Sequence, residues 1–187
     1  MKPINAITLS GFTLTATAVY LLGYFPFIPA WPIFITWACF FHMDGGVNKN
    51  QAFYSTIIHI GLGALSSWIS ALLVISNPLS GDLANQLWAP ILIAAVIAIL
   101  MRLSVFTKFS VTPAIIYGYA AIWAFLSTPG LLNQHTLLSL SFQNAIIAIG
   151  FCIVLGACAG YINATMVAWL CNIKIAKNLN LNIQDKS

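Results

Sequence analysis

The chain has 187 residues, of which 60% are hydrophobic and 5% charged, with seven Lys or Arg, three Asp or Glu and a formal net charge of +4. Soluble domains carry about 25% charged residues, so this composition excludes a water-soluble fold, and a length that accommodates about six spans leaves no room for a separate catalytic domain. The basic residues stand singly between hydrophobic runs, which excludes a nucleic-acid face and makes them reporters of orientation in a lipid bilayer.

The first hydrophobic run covers about Ile4 to Phe27 and continues well beyond the apolar region of a signal peptide, so an uncleaved span is expected. Thr8, Ser10, Gly11, Thr13, Thr15 and Thr17 within it are residues that let neighbouring helices approach and hydrogen-bond. The second run, Trp31 to Met43, rises only about 20 Å as a helix against a hydrocarbon core of about 30 Å. It opens on Pro32 and closes on Asp44-Gly45-Gly46. A short element of this kind is tolerated at membrane depth where protein or a water-filled cavity covers its freed backbone groups, which makes it the first candidate for a working part. Asp44 is expected in a turn and could cap the following helix.

The third run, about Ala52 to Ile75, ends at the turn signal Asn77-Pro78-Leu79-Ser80-Gly81-Asp82. The fourth, about Leu87 to Phe106, is almost unbroken Ile, Leu, Ala and Val and reads as lipid-facing. The fifth, about Val111 to Thr128, is again short and proline-led, by Pro113, and closes at Pro129-Gly130. The sixth, about Phe142 to Ile173, precedes a polar tail from Lys174 to Ser187. The predicted fold class is therefore an all-α integral membrane protein, one domain over residues 1–173 with six transmembrane helices, the second and fifth of them short.

Charge supports six crossings. With the N-terminus inside, Lys2, Lys49, Arg102, Lys108, Lys174, Lys177 and Lys186 fall on one side, and the opposite loops hold only Asp82 and His135. Both termini are expected in the cytoplasm. Phe53-x3-Ile57-Ile58-x-Ile60-Gly61 in the third run matches Phe142-x3-Ile146-Ile147-x-Ile149-Gly150 in the sixth at an offset of 89. Three spans per half make this a 3+3 inverted repeat, residues 4–80 and 84–173, and paired short segments in matching positions point to a midplane site.

A stripe of small and polar residues, Ser55, His59, Gly63, Ser66, Ser67 and Ser70, falls on one face of the third run. Its counterpart in the sixth is Asn144, Ala148, Cys152, Leu155, Gly156 and Ala159. Such faces either line a narrow path or form packing seams of the small-x3-small type. His59 is the ionisable group placed well inside a span, either functional because its charge is costly in hydrocarbon or a neutral ring bonded to backbone or serine. Trp37, Phe41, Tyr117 and Trp123 put aromatic side chains on the two short segments, as interface anchors or as a constriction for a small or cationic solute. The pore-lining or solute-binding candidates are Trp37, Phe41, His42, Ser55, His59, Ser66, Ser67, Tyr117, Trp123 and Asn144.

Cys39, Cys152, Cys158 and Cys171 form no Cys-x-x-Cys pair and read as apolar packing residues. Although His42, Asp44 and His59 are of ligand type, no metal and no cofactor are expected. No run carries a mid-membrane Asp or Glu of the kind that binds ions in coupled transporters, and nothing replaces the glutamate of the small multidrug exporters. The Asn-Pro-Ala pair of aquaporins is absent, as is a Gly-x-Ser nucleophile on a late helix, so enzyme chemistry is not expected.

The tryptophan-led segment running into Gly45-Gly46 and Lys49, then Phe109-x3-Pro113-x4-Gly118, then the small-residue helix from Gly156 to Gly160, resembles a family of small bacterial inner-membrane proteins classed as a domain of unknown function. The resemblance covers about Thr8 to Ile173, and Met43-Asp44 stand where it would have small or neutral residues. It implies a multi-pass protein of the bacterial inner (cytoplasmic) membrane and supplies no catalytic residues. In size and span count the chain is also similar to the amide and urea channels, an analogy of architecture alone. The expected function is a channel or facilitator for a small uncharged or weakly basic polar solute. The alternatives are a proton-coupled secondary transporter using His59 and a non-transporting partner of other membrane proteins. Self-association into a homo-oligomer is expected.

Overall fold

The computed structural model describes the backbone of residues 1–184 and the side chains of residues 1–107 and 109–172. The polar tail expected at 174–187 lies outside the residues whose side chains are described. Seven α-helices follow one another, with no strand among the described residues: α1 (Pro3–Leu22), α2 (Trp31–His42), α3 (Lys49–Ile75), α4 (Asp82–Leu103), α5 (Thr112–Leu126), α6 (Gln134–Leu138) and α7 (Ala145–Gln184). The stretches Pro3–Leu22, Lys49–Ile75, Asp82–Leu103 and Ala145–Asn172 are long and apolar enough to cross a membrane, and α2 and α5 are shorter apolar helices. The chain is a membrane-embedded, all-helical protein.

Local chemistry sets the ends of the helices. Pro32 and Pro113 sit in the first turns of α2 and α5, where a missing N–H costs nothing and the fixed φ suits a helix start. α2 ends in a Schellman turn: the Gly45 N–H donates to the Phe40 carbonyl at 3.1 Å and the Asp44 N–H to Phe41 at 3.2 Å. Asp44 holds the left-handed position of that turn at φ 60°. It does not cap the next helix, because Asn48 does: its Oδ1 accepts from the Gln51 N–H at 3.3 Å. Run one is shorter than expected, its helix stopping at Leu22 and leaving Gly23 to Ala30 as an irregular lead-in to α2. The short α6 was not foreseen. Asn133 caps it at 2.9 Å through the Thr136 N–H, and the Trp68 indole on α3 donates to the Leu137 carbonyl at 2.9 Å.

Two helix pairs form the centre. α3 packs most extensively on α5, and α2 on α7. A Cβ on Gly63 would collide with the Ile115 carbonyl, and one on Gly118 with the Ile60 carbonyl, so the backbones of α3 and α5 touch across two glycines. On the other pair, Gly156 faces Ile33 and Thr36, and Gly160 receives the Phe40 ring. Contacts advance in step along each pair, Ile33 to Phe40 against Gly156 to Gly160, and Ser55 and His59 beside Ser110 and Val111 before Ser70 meets Tyr119, so each pair is parallel. Cys39, Ile60, Ala64, Ile122, Ile149 and Ile153 form the core where the pairs meet.

α1 and α4 lie outside this centre, with most of their residues exposed. Thr8, Thr13 and Thr17 on α1 return their hydroxyls to Ile4, Leu9 and Thr13 carbonyls of the same helix at 2.8–2.9 Å. Of the polar residues expected to reach neighbours from this run, Ser10 does so, donating to Asn163 Oδ1 at 2.9 Å. That bond, with Leu21 and Leu22 sharing a hollow with Phe151 and Leu155, makes α1 antiparallel to α7. The Trp88 indole donates to the Leu73 carbonyl at 3.0 Å while Leu100 packs with Ile115 and Tyr119, so α4 returns antiparallel to α3. The start of α1, the α2–α3 turn and the α4–α5 connection thus share one end, which carries Lys2, Lys49 and Arg102. Asp82 and His135 fall at the other.

Candidate functional site

Each end of the central helices holds a cavity. At the basic end a space of about 390 Å³ is walled by the end of α2 (His42), the turn after it (Asp44), the first turns of α3 (Gln51, Ser55, His59) and the approach to α5 (Ser110, Val111). At the opposite end a space of about 490 Å³ is walled by the end of α5 (Phe125), the connection after it (Thr128, His135), the approach to α7 (Gln143) and the approach to α2 (Pro29, Trp31). Each cavity has as walls the end of one short helix, the connection after it and the approach to the other short helix, while α3 lines the first and no residue of α7 lines the second.

His59 is 6% exposed and forms part of the first wall. Its Nδ1 lies 2.7 Å from the Ser55 carbonyl and 3.3 Å from Ser55 Oγ, which donates in turn to Met43 Sδ at 3.3 Å. A carbonyl only accepts, so Nδ1 carries the hydrogen. Nε2 is buried without a partner, as are Thr56 Oγ1, Ser67 Oγ and Trp123 Nε1. A buried polar atom without a hydrogen bond costs about 1–3 kcal/mol, so this group of atoms on α3 and α5 calls for an explanation other than stability.

The stripe on α3 divides along its length. Ser55 and His59 line the cavity, whereas Gly63 closes against α5 and Ser70 hydrogen-bonds Tyr119 Oη at 3.0 Å. Ser66 returns its hydroxyl to Leu62 at 2.9 Å. The upper part of the stripe is therefore a packing seam against α5. Asn144 is also a structural residue here: Nδ2 donates to the carbonyls of Leu137 and Ser139 at 3.1 and 2.7 Å, and Oδ1 caps α7 through the Ile146 N–H at 3.0 Å. Trp37 is buried and stacks on Phe34 with centroids 6.2 Å apart. Phe41 and Tyr117 are exposed on the outer surfaces of their helices.

The geometry thus brings His42, Ser55 and His59 together, leaves Ser67 buried deeper and Trp123 half-buried against the core, and separates Phe41, Tyr117 and Asn144 from them. Gln51, Thr56 and Ser110 were missed by sequence reasoning. Thr56 was within reach, since it lies three residues before His59 on the same face of α3. Gln51 and Ser110 gave no signal, because a polar residue near a predicted helix end is ordinary. Among the described residues no group of three His, Cys, Asp or Glu stands close enough to hold a metal ion.

Residues 8–168 match the family described as protein of unknown function (DUF1097). The chain belongs to this family. Its matched span contains α2, α3, α5, the part of α7 that packs on α2, and all ten candidate residues named from the sequence. No curated protein and no solved structure matches the chain.

Proposed function

We propose that the chain crosses the bacterial inner membrane six times, as an inverted repeat of residues 4–80 and 84–173 with both termini in the cytoplasm, and conducts a small uncharged or weakly basic polar solute such as a urea- or amide-like molecule. The observation that carries this reading is the pair of cavities at opposite ends, framed by corresponding elements of the two halves. Along α5, Val111 and Phe125 mark the two cavities and stand about 21 Å apart by helical rise, so the closed zone between them is thinner than a hydrocarbon core of about 30 Å. Helices too short to span unaided serve this design, because cavities at their ends let water in to meet them. The gathering of Lys2, Lys49 and Arg102 at one end supports a cytoplasmic assignment for that end.

The absence of Asp and Glu from the third to sixth runs favours passive conduction over ion coupling. Stopped-flow flux into proteoliposomes, across a panel of small amides, amines and organic acids, tests the reading: protein-dependent flux of the neutral amides is expected. No flux for any solute, together with stable co-purification of a membrane partner, would sink it. The burial of His59 with a free nitrogen favours one second reading, a proton-coupled transporter. Uptake that follows an imposed pH gradient and is abolished in His59→Ala would establish that reading instead. The exposed apolar faces of α1 and α4 are the surfaces proposed for homo-oligomer formation.

A further inference from the structure

We infer that the groove between the first turns of α3 and the facing stretch of α7 binds an anionic phospholipid of the basic-end leaflet, with its phosphate on the Lys49 ammonium and an acyl chain in the groove below. The site depends on the chain being embedded in a membrane and not on what it conducts.

The groove lies on the outer surface, apart from the cavities at the ends of the central helices. Asn50, Phe53 and Tyr54 of α3 and Cys158, Tyr161 and Ile162 of α7 line a space of about 390 Å³. Tyr54 is 66% exposed and Ile162 48%, and both stand on helices long and apolar enough to cross a membrane, so the opening faces lipid. Phe53 meets Tyr54 and Tyr161 edge-on, with ring centroids 5.6 and 6.2 Å away, which gives the groove an aromatic wall.

Lys49 stands at the mouth. Its Nζ donates to Thr165 Oγ1 at 3.0 Å and lies 5.1 Å over the centre of the Tyr161 ring, so the ammonium is held above one wall of the groove. An ammonium has three donors, and the bond to Thr165 uses one. The acidic residue described at this end, Asp44, lines the cavity shared with His59 and not this groove. An ammonium already ordered by the protein loses little freedom when an anion binds it.

The chemistry changes with depth. Here α3 and α7 run antiparallel, Lys49 beside Thr165 and Phe53 beside Tyr161. From Thr165 to Cys158 the α7 wall extends about 10 Å from the ammonium toward the middle of the membrane. Lys49 and Asn50 mark the outer end, Phe53 and Cys158 the inner one, which is the order of a phospholipid's phosphate and acyl chain. A zwitterionic headgroup brings its own cation to Lys49 and gains less from it than an anionic one does.

Native mass spectrometry of the purified full chain, offered equimolar dioleoyl phosphatidylglycerol and dioleoyl phosphatidylcholine, tests the site. Wild type is expected to bind its first phosphatidylglycerol about fivefold in preference to phosphatidylcholine. Lys49→Gln is expected to bring that ratio close to one, and Lys49→Arg to keep it. Lys2→Gln removes a charge from the same end outside the groove and is expected to leave the ratio unchanged. Ile162→Trp, which fills the groove from an exposed position, is expected to lower the ratio about as far as Lys49→Gln. The ratio compares two lipids on one protein, so a general loss of stability does not move it. Equal binding of the two lipids by wild type, or a preference that survives in Lys49→Gln, overturns the inference. So does an equal fall in Lys2→Gln, because the whole basic end would then attract the lipid. Displacement of phosphatidylglycerol by excess inorganic phosphate would leave an anion site without use of the groove and also overturn it. An oligomer lost in Ile162→Trp with the lipid preference intact would assign the groove to a second copy instead.

Discussion

The two central seams each join a short helix to a long one and are built differently. Between α3 and α5 the glycines are reciprocal: Gly63 lies on the Ile115 carbonyl and Gly118 on the Ile60 carbonyl, backbone against backbone. Between α2 and α7 the glycines are all on α7, and Gly160 accepts the ring of Phe40. At the Gly63–Gly118 crossing of the first seam backbone meets backbone, whereas the second combines a backbone contact, Gly156 against the Ile33 carbonyl, with the Phe40 ring at Gly160. The buried polar atoms without partners, Thr56 Oγ1, His59 Nε2, Ser67 Oγ and Trp123 Nε1, lie on α3 and α5. Tight backbone contact and unsatisfied polarity thus occur on the same helix pair, whereas among the described residues α2 and α7 carry no buried side-chain polar atom without a partner. The short, aromatic second helix, which the sequence singles out, acts mainly as a packing element, and the unpartnered polar atoms lie on α3 and α5.

The severest way to break this contrast is at the glycines. Gly63→Ala is expected to cost about 3 kcal/mol, because its Cβ meets a carbonyl that belongs to the backbone of α5 and cannot rotate away. Gly160→Ala is expected to cost a comparable amount, since its Cβ meets the base of the Phe40 side chain, which is fully buried with its ring against Gly45. Gly150→Ala, whose Cβ meets nothing within 4 Å, is expected to be neutral or slightly stabilising. Thermal unfolding of the purified protein in detergent compares the three, and a loss at Gly150 as large as at Gly63 would erase the distinction between seam glycines and open ones. Next in size is Asn144→Ala, which removes the cap of α7 and two bonds to the α6 connection, for an expected loss of about 2 kcal/mol in the same assay.

Two serines on α3 sharpen the comparison further. Ser70→Ala breaks the bond to Tyr119 and is expected to destabilise by about 1 kcal/mol, with Tyr119→Phe giving a similar loss and the double variant less than the sum. Ser67→Ala is expected to be neutral or stabilising by up to about 1 kcal/mol, because its hydroxyl has no partner to lose. If Ser67→Ala unfolded as early as Ser70→Ala, its hydroxyl would be bonded in the membrane and unavailable to a solute. The smallest expected effect is at the Schellman turn, where Asp44→Gly relieves a left-handed backbone at φ 60° and raises stability by about 0.5–1 kcal/mol.

Much of this arrangement was legible before the fold. Proline in the first turn and glycine after the last marked α2, and hydrophobic length separated α3, α4 and α7 from the two short helices. What escaped were features that depend on neighbours. Ser10 reached another helix while Thr8, Thr13 and Thr17 turned back on their own, a choice set by the position of Asn163 on α7. Asn144 looked like a polar residue of a lining face and became a cap, because the α6 connection placed two free carbonyls beside it.

The sequence by itself determined the medium and the six longer helices, since hydropathy and helix-breaking residues act locally along the chain. It determined, too, that α3 would carry a small-residue face, because that requires only a period of 3.6. Tertiary structure alone decided which helix that face meets, that part of it opens on a cavity at Ser55 and His59 while the rest closes on α5, and which polar atoms are left without partners. Those outcomes depend on residues about fifty apart, such as Gly63 and Ile115 or Ser70 and Tyr119, meeting across a seam. No local pattern encodes a distance of that kind.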